Sequence, residues 1–392
     1  MPFAVYVLGL AVFAQGTSEF MLSGLLSGIA RDLDVSIPAA GLLTSAFAVG
    51  MVVGAPLMAA LGSRWPRRRA LLAFLGVFIA VHVAGALTTS YGVLLATRVV
   101  GALANAGFWA VALATALGMV EPAARARATS VVVGGVTLAC VAGVPAGAML
   151  GERWGWRAAF WAVALVSVPA LLALARVLPR GRSAPAGPGV RGELRALAAP
   201  RLLLTLLMMA FVQGATFCAF SYLEPLVTRV TGVGAGQVPG ILALFGVGSF
   251  IGVTLAGRIT GGAARPDRII VAGTAALAVG WGVFALTAGN PVAAVGCVLV
   301  QGMLAFGTGT ALISRVFHRA PGAPVMAGAF ATAAFNVGGA LGPWLGGLAI
   351  AGGYGFRAPL WVSALLMVLA LATAGTLRYT RDPAPAVSPA AS

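Results

Sequence analysis

The chain repeats itself at a lag of about half its length. Three short patterns recur 198 residues later: Phe13-x-Gln15-Gly16 as Phe211-x-Gln213-Gly214, Phe47-x-Val49-Gly50-x-x-x-Gly54 as Phe245-x-Val247-Gly248-x-x-x-Gly252, and Pro145 as Pro343. Three matches in one register indicate a duplicated unit. Each half also carries about six long apolar segments. The duplication therefore predicts two helical lobes with a pathway between them, an arrangement typical of secondary transporters.

The composition requires lipid as the solvent. Hydrophobic residues make up 60% of the chain and charged residues 9%, and the mean hydropathy of +0.99 is far above that of soluble domains. Runs of about 20 apolar residues can cross the roughly 30 Å hydrocarbon layer as helices. We predict twelve such runs, near residues 3–28, 38–61, 70–89, 91–118, 129–151, 157–178, 201–224, 236–258, 268–288, 291–314, 324–350 and 357–377. The predicted fold is an all-α membrane protein with twelve transmembrane helices in two pseudo-symmetric six-helix bundles.

The positive charge sets the topology. A net charge of +16 in a soluble protein would suggest nucleic acid as a partner. Here most arginines fall in alternate loops between the predicted spans, and few fall in the other loops. By the positive-inside rule both termini are predicted to be cytoplasmic, in agreement with an even number of spans. We therefore predict the lipid bilayer, and no nucleic acid, as a partner.

Two segments interrupt the apolar pattern. Residues 179–189 combine proline, glycine and arginine in the manner of a linker. We predict an N-terminal bundle at 1–178, a cytoplasmic linker at 179–200 and a C-terminal bundle at 201–378. Residues 379–392, rich in Pro, Ala and Ser, are predicted to form a disordered cytoplasmic tail.

Glu19 is the acidic residue whose position is most informative. It lies about two thirds along the first predicted span. An ionised carboxylate there costs roughly 2.5–3.5 kcal/mol, so it should face an aqueous cavity, be paired or be protonated. Because an apolar environment favours the neutral form of a carboxyl group, we predict a reversible proton site. The alternative is a permanently paired glutamate that holds helices together.

Arg98 is the only arginine that we place inside a predicted span, about two turns into the fourth. A buried guanidinium needs a partner, and Glu19, Asp32 and Asp34 are the acids on that side of the same half. We predict that Arg98 interacts with one of them and changes its proton affinity. The alternative is that Arg98 snorkels to the outer surface. For Asp32 and Asp34 we favour solvated loop positions.

Two polar and aromatic stripes suit the wall of a cavity. Spacings of three and four residues put each set on one helix face: Arg98, Ala102, Asn105 and Trp109 on the fourth span, and Gln213, Phe217, Phe220 and Glu224, beside Tyr222, on the seventh. With Gln15 and, more weakly, Asn336, they are predicted to bind a moderately polar aromatic compound. Ordinary packing between helices is the alternative for any single member. His82 is predicted to be a packed histidine.

Three stretches carry recognisable motifs: Gly16-Thr17-Ser18-Glu19-Phe20, Arg98-Val99-Val100-Gly101-Ala102, and Gly143-Val144-Pro145-Ala146-Gly147 with the following Gly155-Trp156-Arg157-Ala158-Ala159-Phe160. They resemble the first-span signature of the sugar-efflux and chloramphenicol-exporter branch, the fourth-span motif and the fifth-span antiporter motif of the major facilitator superfamily. The resemblance covers nearly the whole chain. It implies the major facilitator fold and a role for Arg98 in proton coupling, which would act with the proton site predicted at Glu19. It also implies an antiporter motif at Gly143, Pro145 and Gly147, a kinkable and closely packed helix that seals the path against proton leak.

The loop Arg64-Trp65-Pro66-Arg67-Arg68-Arg69 resembles the cytoplasmic gating motif of that family, which assigns the gate to Arg64, Arg67 and Arg68. Ser63 stands where the family has an aspartate, and Ala59 and Pro66 stand where it has glycines. A gate built on an aspartate-centred charge relay is therefore in question. Alternatively, these arginines only set the topology.

The resemblance implies a proton-coupled exporter of a small amphiphilic antibiotic, with chloramphenicol the first candidate, working by alternating access in the bacterial inner membrane and conferring resistance. We expect a monomer by default. Efflux of sugars or nucleosides is the nearest alternative. A passive channel would not need a proton gradient. With two histidines, three scattered cysteines and few acids, the sequence offers no catalytic constellation, and we expect neither an enzyme nor a metal or cofactor.

Overall fold

The computed structural model describes residues 1–62, 65–178, 200–262, 266–319 and 324–379, and these residues are mainly helical. The α-helices run over Phe3–Phe20, Leu26–Asp32, Ile37–Gly62, Arg67–Leu87, Tyr91–Gly118, Arg125–Leu138, Val144–Trp154, Trp156–Val177, Pro200–Ser221, Leu223–Arg229, Val238–Gly262, Pro266–Thr287, Pro291–Arg319, Pro324–Ala349 and Ala358–Tyr379. Most of the predicted linker and tail, together with Ser63 and Arg64, lies outside the described residues.

Twelve helical stretches in the described ranges are long and apolar enough to cross a membrane. We number them first to twelfth: Phe3–Gly24, Ile37–Gly54, Arg67–Leu87, Tyr91–Gly118, Arg127–Trp154, Trp156–Val177, Pro200–Ser221, Ala235–Ile259, Asp267–Thr287, Pro291–Arg319, Phe330–Tyr354 and Ala358–Thr376. The prediction of an all-α membrane protein with twelve spans is confirmed. The helix of the seventh span begins at Pro200, the last residue of the predicted linker.

Buried apolar side chains form two large clusters. One draws almost all of its members from residues 4–178, and the other draws most of its members from residues 202–374. Tyr222 belongs to the first cluster and Phe20 to the second, so each half places an aromatic ring in the core of the other. The exact division at 178 and 201 remains our proposal.

The bundle has two ends, which we call the terminal face and the opposite face. The first span starts and the twelfth ends at the terminal face. The loops at 25–36, 88–90 and 155 meet at the opposite face, where Arg157 contacts both Asp32 and Thr88. This assignment of ends comes from the contacts alone and is independent of the positive-inside rule.

The duplicated glycines make equivalent close contacts in the two halves. Gly50 of the second span lies against the backbone of the fourth span at Val99, and Gly248 of the eighth lies against the tenth at Leu299. Gly252 lies against the backbone carbonyl of Met303. Membrane helices approach closely where small residues line their interface, because lipid tails provide no hydrophobic force between helices. The repeat therefore preserves the contact between the second and fourth helices of each half.

We expect Gly252→Ala to destabilise the protein and Gly257→Ala to be tolerated. A methyl group on Gly252 would overlap the Met303 carbonyl group, whereas a methyl group on Gly257, in the same helix, would meet nothing within 4 Å. Overpacking of this kind costs about 1–3 kcal/mol, and alanine favours the helix by up to about 1 kcal/mol. Melting temperatures of the two purified variants in detergent measure the difference. Equal melting temperatures would contradict the close contact.

Candidate functional site

A buried arginine is the centre of the polar cluster in the N-terminal half. Arg98 lies in the fourth span and is 2% exposed. Its guanidinium donates to Ser18 Oγ at 2.9 Å and to the Ser18 carbonyl oxygen at 3.0 Å. The Cζ atom of Arg98 lies 4.4 Å from the centroid of the Phe47 ring. Two oxygens of one residue and an aromatic face thus hold the guanidinium inside the protein, which argues against the snorkelling alternative.

His82 extends this network into the third span. Its Nε2 lies 2.6 Å from Ser18 Oγ, and its Nδ1 lies 2.7 Å from the Phe78 carbonyl oxygen. A carbonyl oxygen only accepts, so Nδ1 carries a proton, and the Ser18 hydroxyl group, which accepts from Arg98, donates to Nε2. The neutral imidazole satisfies all these contacts. Its ring also packs against Phe78 and Phe160 at centroid distances of 4.1 and 5.7 Å, so the predicted packed histidine is also hydrogen-bonded.

Glu19 directly follows Ser18 and is partly exposed. The charge of Arg98 is near enough to act on the Glu19 carboxyl group. Among the described residues, the hydrogen bonds of Arg98 go to Ser18, and none is made to Glu19. The positive charge of Arg98 thus acts on the Glu19 carboxyl group, but no hydrogen bond from Arg98 holds that group in place. A carboxyl group must be able to leave its partner if it is to bind and release a proton.

Two buried amide side chains flank these charges along their helices. Gln15 lies one turn before Glu19, Asn105 lies two turns after Arg98, and both are 0% exposed. Within the described ranges, both amide atoms of Gln15 and the Asn105 Oδ1 have no hydrogen-bond partner. The Asn105 Nδ2 contacts only a thioether, Met51 Sδ, at 3.5 Å. A buried polar atom without a partner costs about 1–3 kcal/mol, which a polar ligand bound there would offset.

A row of phenylalanine rings leads from Glu19 into the C-terminal half. Phe20 of the first span lies 5.5 Å from Phe217 of the seventh, measured between ring centroids. Phe217 lies 6.3 Å from Phe220, Phe220 lies 4.4 Å from Phe245, and Phe245 lies 6.1 Å from Phe306. The predicted residues Phe217 and Phe220 therefore belong to one aromatic surface that reaches the neighbour of the proposed proton site.

Three other predicted substrate residues are only partly buried. Trp109 and Gln213 are partly exposed on the fourth and seventh spans. Asn336 is also partly exposed, and its amide donates to the Thr332 carbonyl oxygen of its own helix at 2.9 Å. The structure does not join Asn336 to the cluster around Arg98 by any hydrogen bond in the described ranges.

Tyr222 and Glu224, predicted to bind substrate, make contacts between the halves at the opposite face. The Tyr222 hydroxyl group donates to the Pro343 carbonyl oxygen at 2.8 Å, and the same hydroxyl lies against Gly41 of the second span. The Glu224 carboxylate accepts from the backbone nitrogen of Ser27 at 3.2 Å and from its Oγ at 2.7 Å. We call this second contact the Ser27–Glu224 latch. Glu224 thus joins the halves by hydrogen bonds, whereas Tyr222 touches the other half at Gly41 and makes its hydrogen bond within its own half.

The latch carries a titratable group. Burial raises the pKa of the Glu224 carboxyl group, while the hydrogen bonds from Ser27 and the charge of Arg229 act in the other direction. A closed latch therefore holds a proton on Glu224 more tightly than an open one in which water surrounds the carboxyl group. Closure is favoured as the pH falls and is weakened as the pH rises.

Asp32 is exposed to solvent, as the sequence suggested, but it is also paired. Its carboxylate accepts from Arg157 and, at 2.9 Å, from the Trp156 indole nitrogen. These hydrogen bonds, Arg157 first, lower the pKa of Asp32. The sequence signal that was missed is the run of Trp156 and Arg157 at the start of the sixth span. Asp32 is therefore engaged at the opposite face, and Glu19 remains the acid whose charge interacts with Arg98.

The fifth span changes its winding at the glycine- and proline-rich motif. A π-helical segment, Ala139–Gly143, is followed two residues later by Pro145. Gly143 lies against the Thr17 side chain, and a Cβ atom on Gly147 would come within 3.3 Å of Met21 Cβ. A π-helical turn leaves carbonyl groups less regularly bonded, and such turns are frequent at functional sites. The motif therefore brings the fifth span directly against the helix that carries Glu19.

At the terminal face, two arginines of the predicted gate cap helix ends. Arg67 donates to the Ala114 carbonyl oxygen at 3.4 Å, and Arg68 donates to that of Ala175. Ala175 lies in the last turn of its helix and Ala114 just before the last turn of its own, near the helix ends where the dipole favours positive side chains. Arg64 lies outside the described residues. Arg315, which the sequence placed in a loop, lies within the helix of the tenth span and is 5% exposed.

Comparison with known proteins gives consistent matches along the chain. The model of the Major Facilitator Superfamily matches residues 8–332. The "Chloramphenicol resistance protein" of Streptomyces lividans is 50% identical over 381 residues, which cover 96% of this chain and 97% of the relative. The "Inner membrane transport protein YdhP" of Escherichia coli strain K12 is 35% identical over 373 residues, 94% of each chain. A bacterial homologue of the human lysosomal transporter Spinster, crystallised in an inward-facing and occupied conformation, superposes with a TM-score of 0.78 at 19% identity over 98% of each chain.

We expect Ser18→Ala to lower stability more than Ser23→Ala. Removing Ser18 Oγ leaves His82 Nε2 without its donor and Arg98 with one acceptor fewer, a loss of about 1.5–3 kcal/mol for a charged group. Ser23 is equally buried in the same helical stretch, but its hydroxyl donates only to Phe20 in its own turn. Thermal unfolding of both variants in detergent provides the measurement, and equal losses would show that Ser18 has no special role.

We expect Ser27→Ala to open the opposite face more readily, and Glu224→Gln to keep it closed at all pH values. The glutamine resembles the protonated acid, which closure favours, and it keeps an acceptor for Ser27. Ser36 and Ala235 are exposed on the two halves. Spin labels attached at these positions report the distance between the halves at the opposite face, measured by double electron–electron resonance. In the parent protein the longer distances should become more populated as the pH rises. A pH response that survives in Glu224→Gln would assign the titration to another group.

Proposed function

The chain belongs to the major facilitator superfamily, and from this premise we propose that it exports a small amphiphilic antibiotic, first of all chloramphenicol, in exchange for protons. It is a transporter and not an enzyme. The substrate is supported by the relative at 50% identity, whose printed name is a chloramphenicol resistance protein. Export of a drug from the cell would confer resistance to it.

The observation that carries the proton-coupling proposal is the arrangement of Ser18, Glu19 and Arg98. Ser18 holds the guanidinium with two hydrogen bonds, so the positive charge stays beside Glu19 whether or not Glu19 is ionised. Such a fixed charge lowers the cost of the carboxylate without requiring a permanent ion pair. Glu19 can then change its protonation state during the cycle while Arg98 stays in place.

Binding of the drug and binding of the proton would be coupled through the first span. Glu19 and Phe20 are adjacent in sequence, and the Phe20 ring contacts Phe217 of the other half. A drug that stacks on this aromatic surface would change the contact beside Glu19, and the unpartnered amides of Gln15 and Asn105 would give it hydrogen bonds. Gln213 and Trp109 complete the proposed wall. Drug binding and proton binding would then favour states that open to opposite sides.

The proposed orientation places the terminal face in the cytoplasm of a bacterial cell and the protein in its inner membrane. The basic residues of the terminal face, such as Arg67 and Arg68, support this orientation. The Ser27–Glu224 latch would then close the periplasmic side, and the fifth-span motif at Gly143, Pro145 and Gly147 would seal the path beside the first span. We propose that the protein works as a monomer, because both sides of the proposed substrate site come from the same chain.

The energy available is sufficient for useful export. One proton that crosses a potential of 100 mV supplies about 2.3 kcal/mol. That free energy supports a concentration ratio of roughly fiftyfold for a neutral drug, and a pH difference across the membrane would increase the ratio.

We expect Glu19→Gln to abolish uphill transport of chloramphenicol, because an amide cannot carry a proton across the cycle. The measurement is uptake into inverted membrane vesicles. Labelled drug is added to the outer solution, and its accumulation inside the vesicles is compared with and without an imposed pH difference. Glu152→Gln, an exposed glutamate at the opposite face, removes the same charge and should transport normally. Glu19→Asp should retain part of the activity.

Normal gradient-driven uptake by Glu19→Gln would remove Glu19 from the coupling scheme. Flux that persists after the proton gradient collapses would indicate a channel. Uptake of sugars or nucleosides in competition with the drug, in vesicles from cells lacking other pumps, would favour the alternative substrate class.

A further inference from the structure

A second polar site lies far from Glu19, at the terminal end of the C-terminal half. A cavity of about 430 Å³ opens there between the seventh, ninth, tenth and twelfth spans. Small apolar residues line it together with four arginines and one aspartate: Arg201, Arg268, Arg315, Arg319 and Asp267. Neither the proton site nor the aromatic row uses these residues.

Positive side chains outnumber negative ones among the described residues that line this cavity. Arg315 is 5% exposed, and its Nε lies 3.2 Å from Asp267 Oδ1. The positive charges of Arg201 and Arg319 repel the guanidinium group of Arg315. Among the described side chains of the cavity, leaving Arg201 aside, Arg268, Arg315 and Arg319 carry three positive charges against the one negative charge of Asp267. Like charges at the edge of a low-dielectric layer repel strongly, so an anion bound among them would be stabilised.

The rest of the wall is apolar. Val271, Ala272 and Ala275 follow one another along the ninth span toward the membrane interior, and Ala272 is exposed. Alanines leave room beside the helix where larger residues would fill it. A ligand with an anionic head and an apolar tail would therefore place its charge among the arginines and its chain along the alanines.

We propose that this cavity binds the phosphate headgroup of an anionic phospholipid, with an acyl chain lying along the ninth span. A phosphate group suits the site because arginines pair with its oxygens through two parallel hydrogen bonds. Basic pockets between membrane helices bind anionic headgroups through this chemistry. A soluble phosphate would satisfy the arginines but would leave the apolar wall unused, which favours the lipid. The inference does not depend on the transported substrate.

Lipid retention tests the proposal. The purified protein is mixed in detergent with phosphatidylglycerol or phosphatidylcholine, and the bound lipid is measured by native mass spectrometry. We expect preferential retention of phosphatidylglycerol. Arg268→Gln combined with Arg319→Gln should weaken it about thirtyfold, since each arginine near an anionic headgroup contributes about 1 kcal/mol. Arg125→Gln combined with Arg127→Gln, exposed on the terminal face of the other half, removes the same charge and should leave retention unchanged.

A second variant tests the acyl chain separately. Ala272→Phe fills the apolar wall but keeps all four arginines, and it should also reduce lipid retention. Melting temperatures confirm that each variant is folded. Equal retention in the Arg268/Arg319 variant and the Arg125/Arg127 variant would overturn the proposal. So would displacement of the lipid by millimolar inorganic phosphate with no effect of Ala272→Phe, because the site would then bind the free anion.

Discussion

Holding a guanidinium inside an apolar bundle is the constraint around which the N-terminal half is organised. Arg98 cannot lose its proton at any physiological pH, so its charge has to be met by fixed partners. Ser18 meets it with both of its oxygens, and His82 orients the Ser18 hydroxyl group. The first, third and fourth spans are thereby locked together by three side chains. Glu19, for which we propose the proton-binding step, is next to this lock but outside it.

Close helix packing makes such a network possible. The second and fourth spans approach each other through Gly50, and the first and fifth through Gly143. With side chains of ordinary size at these positions, each of these helix pairs would stand further apart, and the first and fourth spans, which carry Ser18 and Arg98, each belong to one of the pairs. The glycines that dominate the sequence pattern and the polar contacts that carry the proposed chemistry are therefore parts of one arrangement. At the opposite face, Gly41 accommodates the Tyr222 hydroxyl group in the same manner.

The sequence predicts the fold well because hydropathy is read from consecutive residues and the repeat can be recognised by comparing the sequence with itself. Length and apolarity define the twelve spans, and Glu19 and Arg98 are conspicuous because charge inside a span is costly. The partners of those charges are harder to predict. Ser18 and His82 are 64 residues apart and Ser27 and Glu224 are 197 apart, and no local pattern links them. Arg315 was misplaced because the apolar run ends before the helix does. Its pairing with Asp267 depends on the rotation of the ninth and tenth helices about their axes, which composition does not specify.

The two halves share their packing but not their chemistry. Residues 198 positions after Glu19, His82 and Arg98 are Phe217, Gly280 and Gly296. The titratable and charged side chains of one half are thus replaced by an aromatic ring and two glycines in the other. Phe217 occupies the position of Glu19 in the repeat and contacts Phe20, the residue next to Glu19. Since an aromatic surface suits an amphiphilic compound and a carboxyl group suits a proton, the duplication supplies two similar frameworks that could diverge into one half for protons and one half for substrate. The two halves meet at Glu19, Phe20 and Phe217, which is where we propose that binding of the drug and binding of the proton influence each other.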